Sequence, residues 1–219
     1  LHLLSRRQRQ MCIRDSPCSI RGVLQNSSNT DYCSVSILGV YNSITKMYKI
    51  VDNTIKTKKV SVIIPIYGVE LFIERCAISL FEQTLDDIEY IFVDDCTMDK
   101  SVQILQGIIA KYPHRKDNIF IIRHEKNKGL ASARKTGLKF VHGEYVAHCD
   151  SDDWIERNMY EYLYQEAIST NADIVWCDYY RSDGKSKKTI STKVQPELMQ
   201  GPVWNKLVRT RLYLSLIHI

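Results

Sequence analysis

Through the middle of this 219-residue chain, short β-branched runs alternate with amphipathic helical stretches, and that alternation leaves few folds open. Val60 Ser61 Val62 Ile63 Ile64 Pro65 is a continuous apolar run of the kind buried on both faces of a parallel sheet. Val69, Phe72, Ile73, Cys76, Ala77, Leu80 and Phe81 then recur at three- and four-residue steps, predicting one buried helical stripe. Ile88–Val93 reads as a second strand ending in Asp94 and Asp95. Val102 to Tyr112 reads as a second helix stopped by Pro113. A third strand is expected over Ile119–Arg123, a third helix over Leu130–Val141 and a fourth strand over Glu144–Cys149. A helix from about Ile155 to Ser169 and a strand over Asp173–Cys177 follow. Such βαβ order predicts an α/β fold with a mostly parallel sheet, whose ligands bind outside the carboxyl ends of the strands. Three loops should meet there: Tyr67–Gly68, Asp94–Thr97 and Asp150–Asp153.

Two of those loops are acidic. Asp150 Ser151 Asp152 Asp153 Trp154 directly follows a strand, and a carboxylate cluster so placed suits a hard divalent cation and the diphosphate it neutralises. The competing reading makes Ser151 or Asp152 the cap of a helix beginning near Trp154, with the other acids favouring its positive end.

The ends of the chain read differently. Met11 Cys12 Ile13 Arg14 Asp15 Ser16 can be encoded by bases whose reverse complement translates as Leu214 Ser215 Leu216 Ile217 His218 and the start of Ile219. The two termini therefore resemble one inverted repeat of a transposase-type sequencing adapter, and residues 1–16 and 214–219 are set aside from the fold. Residues 17–57 read as a poorly structured leader, with Met47 the expected natural start. The leader matters for charge: of 30 basic and 25 acidic side chains, Arg6, Arg7, Arg9, Arg14, Arg21, Lys46, Asp15 and Asp31 precede Met47. Without them the balance is 24 against 23, so basicity gives no argument for nucleic acid. Cys76, Cys96, Cys149 and Cys177 stand singly, without CxxC spacing, as reduced thiols of a cytosolic protein do. No run of eighteen apolar residues occurs.

Four stretches together are more specific than any one. Val60–Tyr67, Phe92 Val93 Asp94 Asp95 Cys96 Thr97 Met98 Asp99, Asn127 Lys128 Gly129 Leu130 Ala131 Ser132 Ala133 Arg134, and Gly143 Glu144 Tyr145 with Asp150–Asp153 resemble, in order, the motifs of family 2 glycosyltransferases. The resemblance covers residues 58–213. It implies a GT-A fold, a Rossmann-like three-layer αβα sandwich, and inverting transfer of a sugar from a nucleotide-diphosphate donor, UDP-linked, to an acceptor hydroxyl. The implied cofactor is Mg²⁺ or Mn²⁺. The implied setting is bacterial polysaccharide or glycolipid synthesis in the cytoplasm. Glycan or lipid-linked acceptors are expected there, with room for peripheral association at the inner membrane face.

On this resemblance Pro65 and Tyr67 sit at the nucleobase, with the Tyr67 ring stacking on it unless it is merely a surface aromatic. Asp95 accepts a hydrogen bond from uracil or ribose, and Asp94 orients the loop. A carboxylate facing an imide N–H discriminates uracil from cytosine, whose ring nitrogen there carries no hydrogen. Arg134 meets the diphosphate or else lies on a solvated helix face. Asp152 is the expected direct metal ligand, Asp150 its partner nearer the ribose, and Asp153 an outer acid. Gly201 Pro202 Val203 Trp204 Asn205 Lys206 Leu207 resembles the W-x-K-L segment of a capsular and exopolysaccharide branch; Lys206 would meet the diphosphate, and Trp204 is equally well a core anchor. Cys96–Met98 replaces the more usual Gly-Ser-Thr, and Lys135 the more usual Asn. No carboxylate among Asp173, Asp178 and Asp183 matches the base that deprotonates the acceptor, which is expected beyond residue 219. A non-catalytic sugar-nucleotide-binding module is the alternative from another class. A sugar-nucleotide pyrophosphorylase or a dehydrogenase would need a Gly-rich loop after the first strand, where this chain has Pro65 Ile66 Tyr67 Gly68.

Overall fold

The computed structural model describes residues 8–11, 20–24, 58–182, 187–190 and 203–216, all within a single unit of the chain. The rest of the expected leader and of the two adapter-like ends, together with Asp183, lies outside the described residues.

The strands are β1 (Gln8–Met11), β2 (Ile20–Leu24), β3 (Lys58–Ile66), β4 (Ile88–Asp94), β5 (Ile119–Arg123), β6 (Gly143–His148), β7 (Trp154–Ile155), β8 (Ile174–Cys177), β9 (Tyr179–Ser182), β10 (Lys187–Ile190) and β11 (Lys206–Arg209). The α-helices are α1 (Ile73–Phe81), α2 (Ser101–Ile109), α3 (Leu130–Gly137), α4 (Met159–Ser169) and α5 (Thr210–Leu216). The main sheet has the order β2-β8-β11-β6-β3-β4-β5. β6, β3, β4 and β5 pair in parallel. β11 is antiparallel to both β6 and β8, so β8 runs with the parallel set, and β2 is antiparallel to β8. A smaller sheet has the order β10-β9-β1-β7. Gln8–Met11 and Ile20–Leu24, from the segments set aside above, thus join sheets through backbone pairing, which draws on N–H and C=O groups that nearly every residue carries.

Strand periodicity divides the core between the two faces of the sheet. Val62, Ile64, Ile66, Tyr90 and Phe92 point to the face covered by α1, α2 and α4, where Ile73, Leu80, Leu105 and Leu163 are buried with them. Ile63, Ile91, Val93 and Val146 point the other way, onto Ala133 of α3 and Tyr213 of α5. The layers are therefore helix, sheet, helix. Phe81 meets Tyr90 and Phe92 edge-on at 5.4 and 6.2 Å, arrangements that add about 0.5–1.5 kcal/mol each beyond burial. Trp204 is 5% exposed and edge-on to Tyr179 at 4.6 Å, so of its two readings the core anchor is the one its surroundings bear out.

Some boundaries differ from expectation. Val69–Phe72 form turns before α1, because Gly68 at φ 65° turns the chain first. Pro113 does not simply end a helix; it opens a 3-10 turn, Pro113–Asn118, where its fixed φ fits the first position. The helix expected from Ile155 begins at Met159, and Trp154–Ile155 is extended.

Candidate functional site

The carboxyl ends of β3, β4 and β6 open into a cleft of about 300 Å³. Pro65, Tyr67, Asp95, Asn127, Gly129, Leu130, Asp150 and Asp152 are among its lining residues. The three loops expected to converge do so, and hydrogen bonds tie them together. Ser151 Oγ donates to the Pro65 carbonyl at 2.6 Å, fastening the β6 loop to the end of β3. Gly68 N donates to Thr97 Oγ1 at 2.9 Å, fastening the β3 loop to the β4 loop. Asp94 Oδ1 accepts from Thr97 N at 2.8 Å and its other oxygen lies 3.4 Å from Arg123 Nε, so this acid shapes the loop from within.

Asp95 is 3% exposed and densely bonded. Its Oδ1 accepts from His124 Nδ1 at 2.7 Å and from Lys128 N at 2.8 Å; its Oδ2 accepts from Gly129 N at 2.7 Å. Gly129, at φ 83°, adopts a backbone that L side chains rarely reach, which lets its N–H turn toward the carboxylate. Burial alone would raise the Asp95 pKa, but the His124, Lys128 and Gly129 bonds outweigh it and hold the carboxyl below its usual range. Tyr67, which also lines the cleft, is 51% exposed.

On the β6 side, one ligand atom each from Asp150, Asp152 and Asp153 lies within 4.8 Å of the other two. This set of hard oxygen donors fits a hard divalent cation better than it fits a helix cap, because α4 starts only at Met159. Arg134 Nη2 donates to Asp150 Oδ1 at 2.6 Å, so the arginine expected at the diphosphate and one acid of the cluster already face each other. Behind the loop, Cys76 and Cys149 have their sulfurs 4.0 Å apart, and both lie near the Asp150 carbonyl, at 3.8 and 3.6 Å. The Arg75 guanidinium stacks on Trp154 at 3.6 Å and its charge acts on buried Asp153.

Lys206 is not among the residues lining the cleft; it is half-buried on β11, 3.5 Å from Asn205 Oδ1, and burial lowers its pKa. His124 and Thr136, joined at 2.8 Å, escaped the sequence reading because neither belongs to a motif and their contact spans a strand and a helix.

A family model described as Glycosyl transferase family 2 matches residues 61–215. The chain is 41% identical over 147 residues to the uncharacterized glycosyltransferase EpsJ of Bacillus subtilis, covering 67% of this chain and 40% of that one. It is 38% identical over 122 residues to the glycosyltransferase GlyA of Streptococcus pneumoniae, covering 56% of this chain and 17% of that one. Among solved structures, S. aureus TarS in complex with UDP-GlcNAc superposes with a TM-score of 0.59 at 24% identity, covering 73% of this chain and 47% of that one, a likeness of fold. The chain spans less than half the length of each.

Proposed function

The chain belongs to glycosyl transferase family 2, and from that premise we propose that it forms the donor-binding part of an inverting enzyme of bacterial polysaccharide or glycolipid synthesis. The donor is a nucleotide-diphosphate sugar, UDP-linked, and the acceptor a hydroxyl of a glycan or lipid-linked glycan. One observation carries this: a single cleft joins an aromatic ring, a buried carboxylate with an acceptor position to spare, and an acidic cluster. Tyr67 would stack on the base. Asp95 would accept from the uracil imide or a ribose hydroxyl, which favours uridine over cytidine. TarS, of the same fold, is seen with UDP-GlcNAc.

Asp152 and Asp150, backed by Asp153, would hold Mg²⁺ or Mn²⁺. When bound, that ion supplies Lewis-acid stabilisation of charge on the departing diphosphate. The protein's own groups do the rest. Arg134, which donates to Asp150 at 2.6 Å, would bring a positive charge to the diphosphate. Ser151 keeps the acidic loop seated on β3 while the displacement proceeds.

Calorimetry with UDP and Mn²⁺ tests the reading. Asp152→Ala should weaken binding about tenfold or more, a difference of about 1.4 kcal/mol or more. Absence of heat with the unsubstituted chain, or a titration indifferent to this substitution, would refute it. No helix among the described residues is long and apolar enough to cross a membrane.

A further inference from the structure

We propose that His124 is the positioning residue of the nucleotide subsite: it sets which lone pair of Asp95 faces the cleft and locks that carboxylate to the helix that carries Arg134. The proposal rests on the reading of Asp95 given above. A carboxylate offers about four lone-pair sites. Three on Asp95 are filled, by His124 Nδ1, Lys128 N and Gly129 N, which leaves one on Oδ2 for a ligand in the cleft that Asp95 lines. Lys128 and Gly129 lie on the loop that enters α3, and a loop can shift with its carboxylate. His124 is different, since it is 5% exposed at the end of β5 and its backbone N–H is bonded to the Asp94 carbonyl at 2.9 Å.

Its second ring nitrogen completes the device. Nε2 lies 2.8 Å from Thr136 Oγ1, so the imidazole bridges the β4 loop to α3. Two residues before Thr136 on that helix, Arg134 reaches Asp150. The base-reading and diphosphate-reading ends of the cleft are thereby joined through one buried ring. A ring that served only to fill space would have no reason to bond both ends.

The test compares UDP with CDP by calorimetry in Mn²⁺, using circular dichroism to establish folding. A purely structural role would move stability or weaken both nucleotides alike, whereas a positioning role moves their ratio. His124→Ala should lower the UDP-to-CDP preference about tenfold or more, because a displaced Asp95 no longer meets the imide N–H. His124→Asn, whose amide takes the place of Nδ1, should keep the preference; His124→Gln, whose amide reaches the Nε2 position, should lose it. Should the alanine variant not fold, the Asn and Gln pair decides. Equal preference in wild type, Asn and Gln variants would overturn the proposal, as would an unchanged ratio in folded His124→Ala. An unsubstituted chain with no preference for UDP, or an Asp95→Ala variant that retains it, would remove the reading of Asp95 and this proposal with it. A preference abolished by Asp95→Ala but kept by His124→Ala would overturn this proposal alone.

Discussion

Cys96 holds φ at 60°, in the left-handed region where a side chain with a Cβ costs about 1–2 kcal/mol. It does so between Asp95, which lines the cleft, and Thr97, whose N–H and hydroxyl brace the loop. Its sulfur makes a long contact to the Glu125 carbonyl at 3.6 Å. Glycine would remove the strain at an entropic cost of about 0.5–1 kcal/mol in the unfolded chain. Cys96→Gly should therefore raise the unfolding free energy by about 0.5–1 kcal/mol, read from the urea midpoint. The departure Cys96 for Gly, visible in the sequence, is a backbone matter and leaves the acids beside it in place.

At the scale of elements, Arg115 shows how a 3-10 turn stabilises a helix end. Its guanidinium is buried and donates to the carbonyls of Phe81, at the end of α1, and of Gln83, Leu85 and Asp86 in the loop that follows. Arg115→Ala would strand several buried acceptors and should cost about 3 kcal/mol or more, measured as a lower urea midpoint at unchanged slope. Nothing local announced this: an arginine after a proline reads as surface. The same divide governs how much was legible in the sequence. The apolar runs at Val60, Ile88 and Ile119 and the stripe through Cys76 and Leu80 became β3, β4, β5 and α1, because burial on known faces writes its period into the chain. The convergence of Tyr67, Asp95 and Asp152 followed from parallel order alone. β11 did not, since antiparallel insertion between β6 and β8 depends on pairing across some sixty and some thirty residues respectively, which no short window of sequence contains. His124 was missed for a like reason, its partners lying on β4's loop and α3.

For the molecule as a whole, buried His148 sets a pH dependence of stability. Burial, then the nearby Arg134 charge, push its pKa from 6.5 down to about 3, and Nδ1 has no hydrogen-bond partner. The folded protein therefore resists a proton that the unfolded chain accepts. Stability is intact above pH 6.5 and is lost as pH falls from there toward 3, at up to about 1.4 kcal/mol per pH unit. His148→Phe, which keeps an aromatic ring beside Tyr213 at a site now 5.6 Å from it, should flatten the acid limb of a stability–pH curve. An unchanged slope would place the titration elsewhere. The position of β11 also has a consequence in time. A ribosome adding about 5–20 residues per second delivers β6 and β8 roughly 3–12 s and 1–6 s before β11. Until then the nascent chain carries an open slot, with Tyr145, Val146 and Ala147 offering unpaired backbone to any neighbouring strand. Chains released at residue 200 should therefore pellet on centrifugation while chains through Leu216 stay in the supernatant, because only the longer chain carries the strand that fills the slot.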